Sequence, residues 1–189
     1  MWAYASGIFP MGDEAGAISW YAPDPRAVLE HHNLRVTRSL RATIRAGRYT
    51  VTFSTAFERV MRACAEPRGD GEGTWISAEF VWAYGVLRRW GFAHSVEAWR
   101  GHEGDELVGG LYGVSIGAAF MGESMFSRAT DASKVCLVAL VERLRARGYL
   151  LHDTQFTTPH LERLGVTTIP RDEYLRRLEQ AVSIPCHFI

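Results

Sequence analysis

Lysine is almost missing from this chain: of its 21 Lys and Arg residues only Lys134 is lysine, and the rest are arginine. Cysteine is scarce as well. Cys64, Cys136 and Cys186 are odd in number, widely spaced and form no CxxC, which argues against a disulfide framework or a zinc site and favours a reducing cytoplasm. No apolar run approaches the roughly 18–20 residues of a membrane span, and the N-terminus lacks a basic segment followed by an apolar one. The expectation is therefore a soluble, unexported protein with no membrane partner. GxxxxGK[ST] and a strand-following GxGxxG are both absent, so nothing marks an ATP or dinucleotide site.

What is present is ordinary globular material: 189 residues, 47% hydrophobic and 22% charged, enough for one domain with a full core. Formal charge is zero, but segment 26–48 carries Arg26, Arg35, Arg38, Arg41, Arg45 and Arg48 against Glu30 alone. Arginine-rich codon usage accounts for such a bias. So does phosphate binding, for which the planar guanidinium fork is suited, and a local basic field permits an RNA partner on a neutral chain.

The periodicity predicts helices over Arg38–Ala46, from Thr55 to about Cys64 (a Thr55/Glu58 capping box), from Ser77 toward Gly91, over Asp131–Arg147, over 158–164, and from Pro170 to about Ala181. Residues 34–36 and Tyr49–Phe53 read as extended. So do three consecutive strands, His94–Arg100, Glu106–Ile116 and Ala118–Phe126, and a short one at Tyr149–Asp153. Met11–Ala17 and Glu66–Gly73 read as flexible loops. The fold class expected is α+β: an antiparallel meander, a long crossover helix and a further strand, the element order of GNAT-type acyltransferases.

Most polar residues have ordinary readings. His31–His32 and His152/His160 lack the spacing of a metal pair, and Gly122–Phe126 lacks the closing glycine of a nucleophile elbow. Two segments stand out. In FMGESMFS (120–127), Glu123 lies within an apolar strand, so it either faces solvent or is buried with a partner. In YLLHDTQF (149–156), Asp153 and Gln155 are two apart at a strand end and so share a face, either as site residues or as part of a turn.

SGIFPMG (6–12), WYAPDPRAVL (20–29), GTWIS (73–77), AHSVEAWR (93–100), ELVGGLYGVSIG (106–117), FMGESMFSRATDASKVCLVAL (120–140) and IPRDEYL (169–175) together resemble the leucyl/phenylalanyl-tRNA–protein transferase family. The agreement runs in order from about residue 4 to 180. The resemblance implies a GNAT-like catalytic domain over 66–189, with 1–65 as an N-terminal portion packed on it. It also implies transfer of Leu, Phe or Met from aminoacyl-tRNA to a protein N-terminal Arg or Lys, which marks that protein for degradation. The enzyme would be a monomer needing no cofactor, because the donor ester is already activated.

By the same resemblance Asp153, Gln155 and Glu123 are the catalytic group. Leu111, Phe120, Met125, Leu137, Leu140 and Leu144 form the side-chain pocket, and Trp75 and Tyr84 lie near the terminal adenosine. The basic stretch, independently of the resemblance, offers Arg35, Arg38, Arg41 and Arg45 either as contacts to tRNA phosphate or as a solvated face. A neutral amide is barely basic, so the expected role of Gln155 is to position the acceptor amine through its carbonyl, with Asp153 holding its NH₂ group. Three departures accompany the resemblance: family members carry about 30 more residues ahead of the SGIFP block, which makes this an N-terminally short member; they have Trp where Met11 stands; and they have an apolar residue where His152 stands. Two other readings compete, a truncated non-catalytic paralogue and a coenzyme-A-dependent acetyltransferase. Against the second, SRATDAS (127–133) lacks the glycines of a pyrophosphate turn.

Overall fold

The computed structural model describes residues 1–13, 17–67 and 74–189. A short helix α1 (Trp2–Ala5) leads into a separate hairpin of β1 (Phe9–Gly12) and β2 (Ile18–Tyr21). Then come β3 (Arg26–Val28), a 3-10 turn at His31–Asn33, α2 (Arg38–Arg45), β4 (Thr50–Phe53), α3 (Phe57–Cys64) and α4 (Ala78–Arg89). The second half holds β5 (Ala93–Arg100), β6 (Glu106–Ile116), β7 (Ala119–Ser127), α5 (Ala132–Ala146), β8 (Leu151–Gln155), α6 (Pro159–Arg163), β9 (Thr167–Ile169) and α7 (Arg171–Val182). Parts of both expected flexible loops, 14–16 and 68–73, lie outside the described residues.

Among the described residues β3–β9 form one seven-stranded sheet in the order β4-β5-β6-β7-β8-β3-β9. Every neighbouring pair is antiparallel except β7–β8, which is parallel and joined by the crossover helix α5. Strands from both sides of residue 65 share this sheet, because β3 is inserted between β8 and β9 while β4 borders β5.

Both faces are covered, which is why β5 and β6 read as nearly continuous buried runs rather than alternating ones. On one face Phe57, Val60, Met61, Phe80, Tyr84, Tyr174 and Leu178 pack beneath α3, α4 and α7. On the other, Cys136, Leu137, Leu140, Val141 and Leu144 of α5 pack on Val96, Ala98, Val108, Leu111 and Phe120. Gly109 permits this contact, since a Cβ there would stand 2.6 Å from the Ala132 Cβ.

The central parallel ladder is short. It pairs Ala119–Met121 with Leu151–Asp153 and ends there, after which β7 runs on to Ser127 and β8 to Gln155 without pairing with each other. Both prongs of this fork are bulged. Tyr112 faces Ser124 and Gly113 faces Gly122, which leaves Glu123 as the extra residue; likewise Ala27 faces Gln155 and Val28 faces Asp153, which leaves Thr154. Gln155 itself has φ of 66°.

Several expectations need correction. No capping box opens α3: its N-cap is Ala56, with no side-chain cap bond, and Glu58 pairs outward with Arg62 at 2.5 Å. Instead the buried Glu97 carboxylate accepts from Thr52 and Thr55 hydroxyls and from the Ala56 N–H, a long-range cap invisible to local spacing. Residues 34–36 form no strand; Arg35 N–H reaches the Leu164 carbonyl at 2.9 Å, and the Val36 carbonyl accepts from the Arg41 guanidinium at 3.3 Å. The β1–β2 hairpin, β3 and β9 escaped the sequence reading. Their strands are three or four residues long, too short to show a period.

Candidate active site

The fork opens into a cavity of about 390 Å³. Its apolar wall is built by Leu29, Leu111, Met125, Leu137, Leu140 and Leu161, from β6, β7, α5, α6 and the flank of β3. Met11, Trp75 and Phe156 line it too, and Gly122, Glu123, Ser124, His152, Thr154 and Gln155 supply its polar side. Parallel strands that diverge expose unpaired main chain and side chains at their ends, so a sheet of this kind places its site there.

Glu123 is the hub. Its Oε1 accepts from the Tyr4 hydroxyl at 2.7 Å and from Gln155 Nε2 at 3.0 Å, and its Oε2 accepts from the Tyr84 hydroxyl at 2.9 Å. The two tyrosine oxygens also lie within very short hydrogen-bonding distance of each other, so with one proton on each phenol all three contacts are filled together only when Glu123 carries a proton too. Burial pushes the Glu123 carboxyl up to about 8; the Tyr4, Tyr84 and Gln155 hydrogen bonds oppose this, and the Asp153 charge adds to it. Burial likewise raises both tyrosines, so they stay protonated as donors.

Asp153 sits behind this hub, with no exposure. Its carboxylate takes Arg26 in a two-pronged ion pair (Nε at 2.9 Å, Nη2 at 2.6 Å), the Tyr174 hydroxyl at 2.8 Å, and the Gln155 main-chain N–H at 2.8 Å. Arg26 is in turn sandwiched, 4.7 Å from the Phe9 ring and 4.5 Å from that of Tyr174. The expected contact from Asp153 to the Gln155 NH₂ group is therefore not made. The Thr154 bulge and the positive φ of Gln155 break strand alternation, so the aspartate holds the main chain and Glu123 holds the amide.

His152 is unusual for such a wall. It is 3% exposed, its ring stands 5.9 Å from Phe120 and 6.3 Å from His31, and Nδ1 has no partner. Burial drives its pKa down to about 3, with a smaller push from His31, so the ring is neutral. The Tyr112 and Thr154 hydroxyls, also on the lining, are buried without partners.

The structure gathers seven of the fifteen expected residues on one lining. Leu111, Met125, Leu137, Leu140, Trp75, Glu123 and Gln155 all line the cavity. Phe120 and Leu144 do not: both are fully buried in the core under α5, Phe120 stacked 5.5 Å from Phe188. Tyr84 is 2% exposed and turned to Glu123, which leaves no ring face for stacking on a base. Arg35, Arg38, Arg41 and Arg45 are exposed on and before α2, and none enters an ion pair among the described residues. Arg26, grouped with them by sequence, is instead buried at the site. Sequence reasoning missed Tyr4 and Tyr174, whose roles depend on partners more than a hundred and about twenty residues away. His160, read as solvated or structural, lies on the lining.

Fold and site define a mixed α+β protein with an apolar pocket beside a carboxylate–amide hub, suited to holding a ligand with an apolar arm and a reacting polar end. Comparison with known sequences narrows this. The family model described as leucyl/phenylalanyl-tRNA protein transferase matches residues 28–179, and that of the same family's N-terminal domain matches residues 1–24. The leucyl/phenylalanyl-tRNA–protein transferase of Anaeromyxobacter sp. (strain K) is 55% identical over 184 residues, 97% of this chain and 78% of the relative. That of Rubrobacter xylanophilus is 55% identical over 181 residues, 96% and 92% of the two chains, and that of Gloeobacter violaceus 52% over 187, 98% and 93%. The chain belongs to the leucyl/phenylalanyl-tRNA–protein transferase family, as its sequence blocks indicated, and is an aminoacyltransferase. No helix among the described residues is long and apolar enough to cross a membrane.

Proposed function

We propose that this protein transfers Leu, Phe or Met from aminoacyl-tRNA to the N-terminal Arg or Lys of acceptor proteins, marking them for degradation. The observation that carries the reading is the Gln155–Glu123 pair at the mouth of an apolar pocket. The pocket takes the donor side chain: Leu111, Met125, Leu137 and Leu140 present branched and flexible apolar groups that suit aliphatic and aromatic arms alike. Trp75, half-buried on the lining, offers the aromatic surface for the terminal adenosine, and the unpaired arginines of α2 offer contacts to tRNA phosphate.

The chemistry is aminolysis of an ester. The acceptor amine attacks the aminoacyl carbonyl carbon, a C–N bond forms, the C–O bond to the ribose breaks, and the ribose oxygen leaves with a proton. Gln155 gives its N–H to Glu123, so its carbonyl oxygen is free to accept from the incoming amine and aim it. Glu123, with a pKa near 8, is matched to the proton that the ammonium sheds. Asp153 is a positioning residue: it fixes the Gln155 main chain and neutralises Arg26. The donor is activated beforehand, so the step calls for no ATP, metal or other cofactor.

We read residues 66–189 as a GNAT-like unit, supported by the β5–β6–β7 meander, the α5 crossover and the splayed β7–β8 pair. Residues 1–65 act as the N-terminal portion packed on it, contributing Tyr4, Arg26 and Met11 to the site. The protein works as a cytoplasmic monomer, a setting that suits cysteines not joined in disulfides. Incubation with Phe-tRNA and an Arg-initiated peptide tests the reading. A new Phe-Arg N-terminus supports it; acetylation of the peptide from acetyl-coenzyme A, or binding without transfer, sinks it.

A further inference from the structure

The donor pocket is not wholly apolar. Gly122 and His152 face one another across the fork, and a Cβ on Gly122 would stand 3.8 Å from His152 Nε2. Both residues line the cavity. The ring's other nitrogen, Nδ1, is buried without a partner, and the neighbouring Thr154 and Tyr112 hydroxyls share that condition. A leucine would fill the same wall without leaving a polar group unpaired, so the imidazole is a departure from what apolar side chains require.

We propose that His152 is a specificity-determining residue that admits a donor side chain with a hydroxyl at the end of a large apolar body, tyrosyl alongside phenylalanyl. This rests on the aminoacyl-transfer reading above. The body must be large because apolar groups, Leu111, Met125, Leu137 and Leu140 among them, line the cavity around the imidazole. The hydroxyl can be matched because a phenol both donates and accepts, and so suits Nε2 in either tautomer of the neutral ring. In a purely apolar pocket that hydroxyl would lose its water and gain nothing; beside His152 Nε2 it gains a partner.

The test uses one tRNA body charged with either Phe or Tyr, so that tRNA contacts cancel, and reads the Tyr/Phe ratio of kcat/KM. The wild-type ratio should exceed that of His152→Leu by about tenfold, the worth of one net hydrogen bond. His152→Gln, which returns a hydrogen-bonding atom near the place of Nε2, should recover part of it. A change under twofold between wild type and His152→Leu overturns the proposal. In parallel, calorimetry gives the affinity ratio of amide-linked tyrosyl- and phenylalanyl-adenosine analogues. If the wild type transfers neither group, the transfer reading has failed; the analogue ratio then decides for His152 alone, upheld by a fall of about tenfold in His152→Leu and overturned by a change under twofold.

Discussion

Gln155 donates its side-chain N–H to Glu123 across the open fork at 3.0 Å, while its main-chain N–H goes to Asp153 at 2.8 Å. Two carboxylates from two strands thus divide one residue between them, one holding the amide and the other the backbone. The left-handed conformation of Gln155 lets both contacts form at once.

The first prediction concerns the amide. Gln155→Ala removes the oxygen aimed at the acceptor amine, and kcat/KM should fall by the equivalent of about 2–4 kcal/mol, as for loss of a single aimed polar group at a reacting centre. Binding of a phenylalanyl-adenosine analogue should change little, because the apolar wall holds that ligand. Transfer at the wild-type rate would remove Gln155 from the mechanism.

Asp153→Asn should act on stability before it acts on chemistry. The buried Arg26 would lose its counter-charge, and breaking such a pair costs about 3–5 kcal/mol. Denaturant melts of Asp153→Asn and of Asp153→Asn combined with Arg26→Met separate the effects: the double variant should regain part of the loss. If the single variant is as stable as the wild type, the pair contributes nothing.

Glu123 predicts a pH dependence. Its folded pKa of about 8 lies above the unfolded value near 4.5, so the folded state holds this proton more tightly. Its contribution is fully present below the unfolded pKa and declines as pH rises through the folded one, by about 1.4 kcal/mol per pH unit between them. The stability difference between wild type and Glu123→Gln should therefore shift with pH from 5 to 8. A constant difference over that range would contradict the raised pKa. The kcat/KM profile should also lose its inflection near 8 in the variant.

Arg41 tests the nucleic-acid face. Arg41→Glu should weaken binding of every aminoacyl-tRNA alike and flatten the slope of log affinity against log salt by about one or two units. An unchanged slope would make the exposed arginines of α2 a solvated face only.

Much of this was legible in the chain. The five long elements of the second half, from β5 to α5 and on to α7, fall within a few residues of where periodicity and caps put them, because each is long enough to show its period and is bounded by local chemistry. Ser77 caps α4 by accepting from the Phe80 N–H, and Pro170 opens α7. The short hairpin and edge strands carried no such signal. The false capping box at Thr55 shows the limit of local spacing: a carboxylate 42 residues away outcompeted Glu58.

The blocks of sequence sufficed to settle the family, and with it Asp153, Gln155 and Glu123 as residues to watch, because unusual residues in fixed order are a one-dimensional property. Only the folded chain decided which of them touch. Pairing Gln155 with Glu123 required the β7–β8 ladder to end at Met121 and both prongs to bulge. Tyr4 and Arg26 reach the site because α1 and β3 come back to strands more than a hundred residues on. Hydrogen bonds and burial depend on distance in space, and distance along the chain carries no record of it until the sheet has brought the strands together.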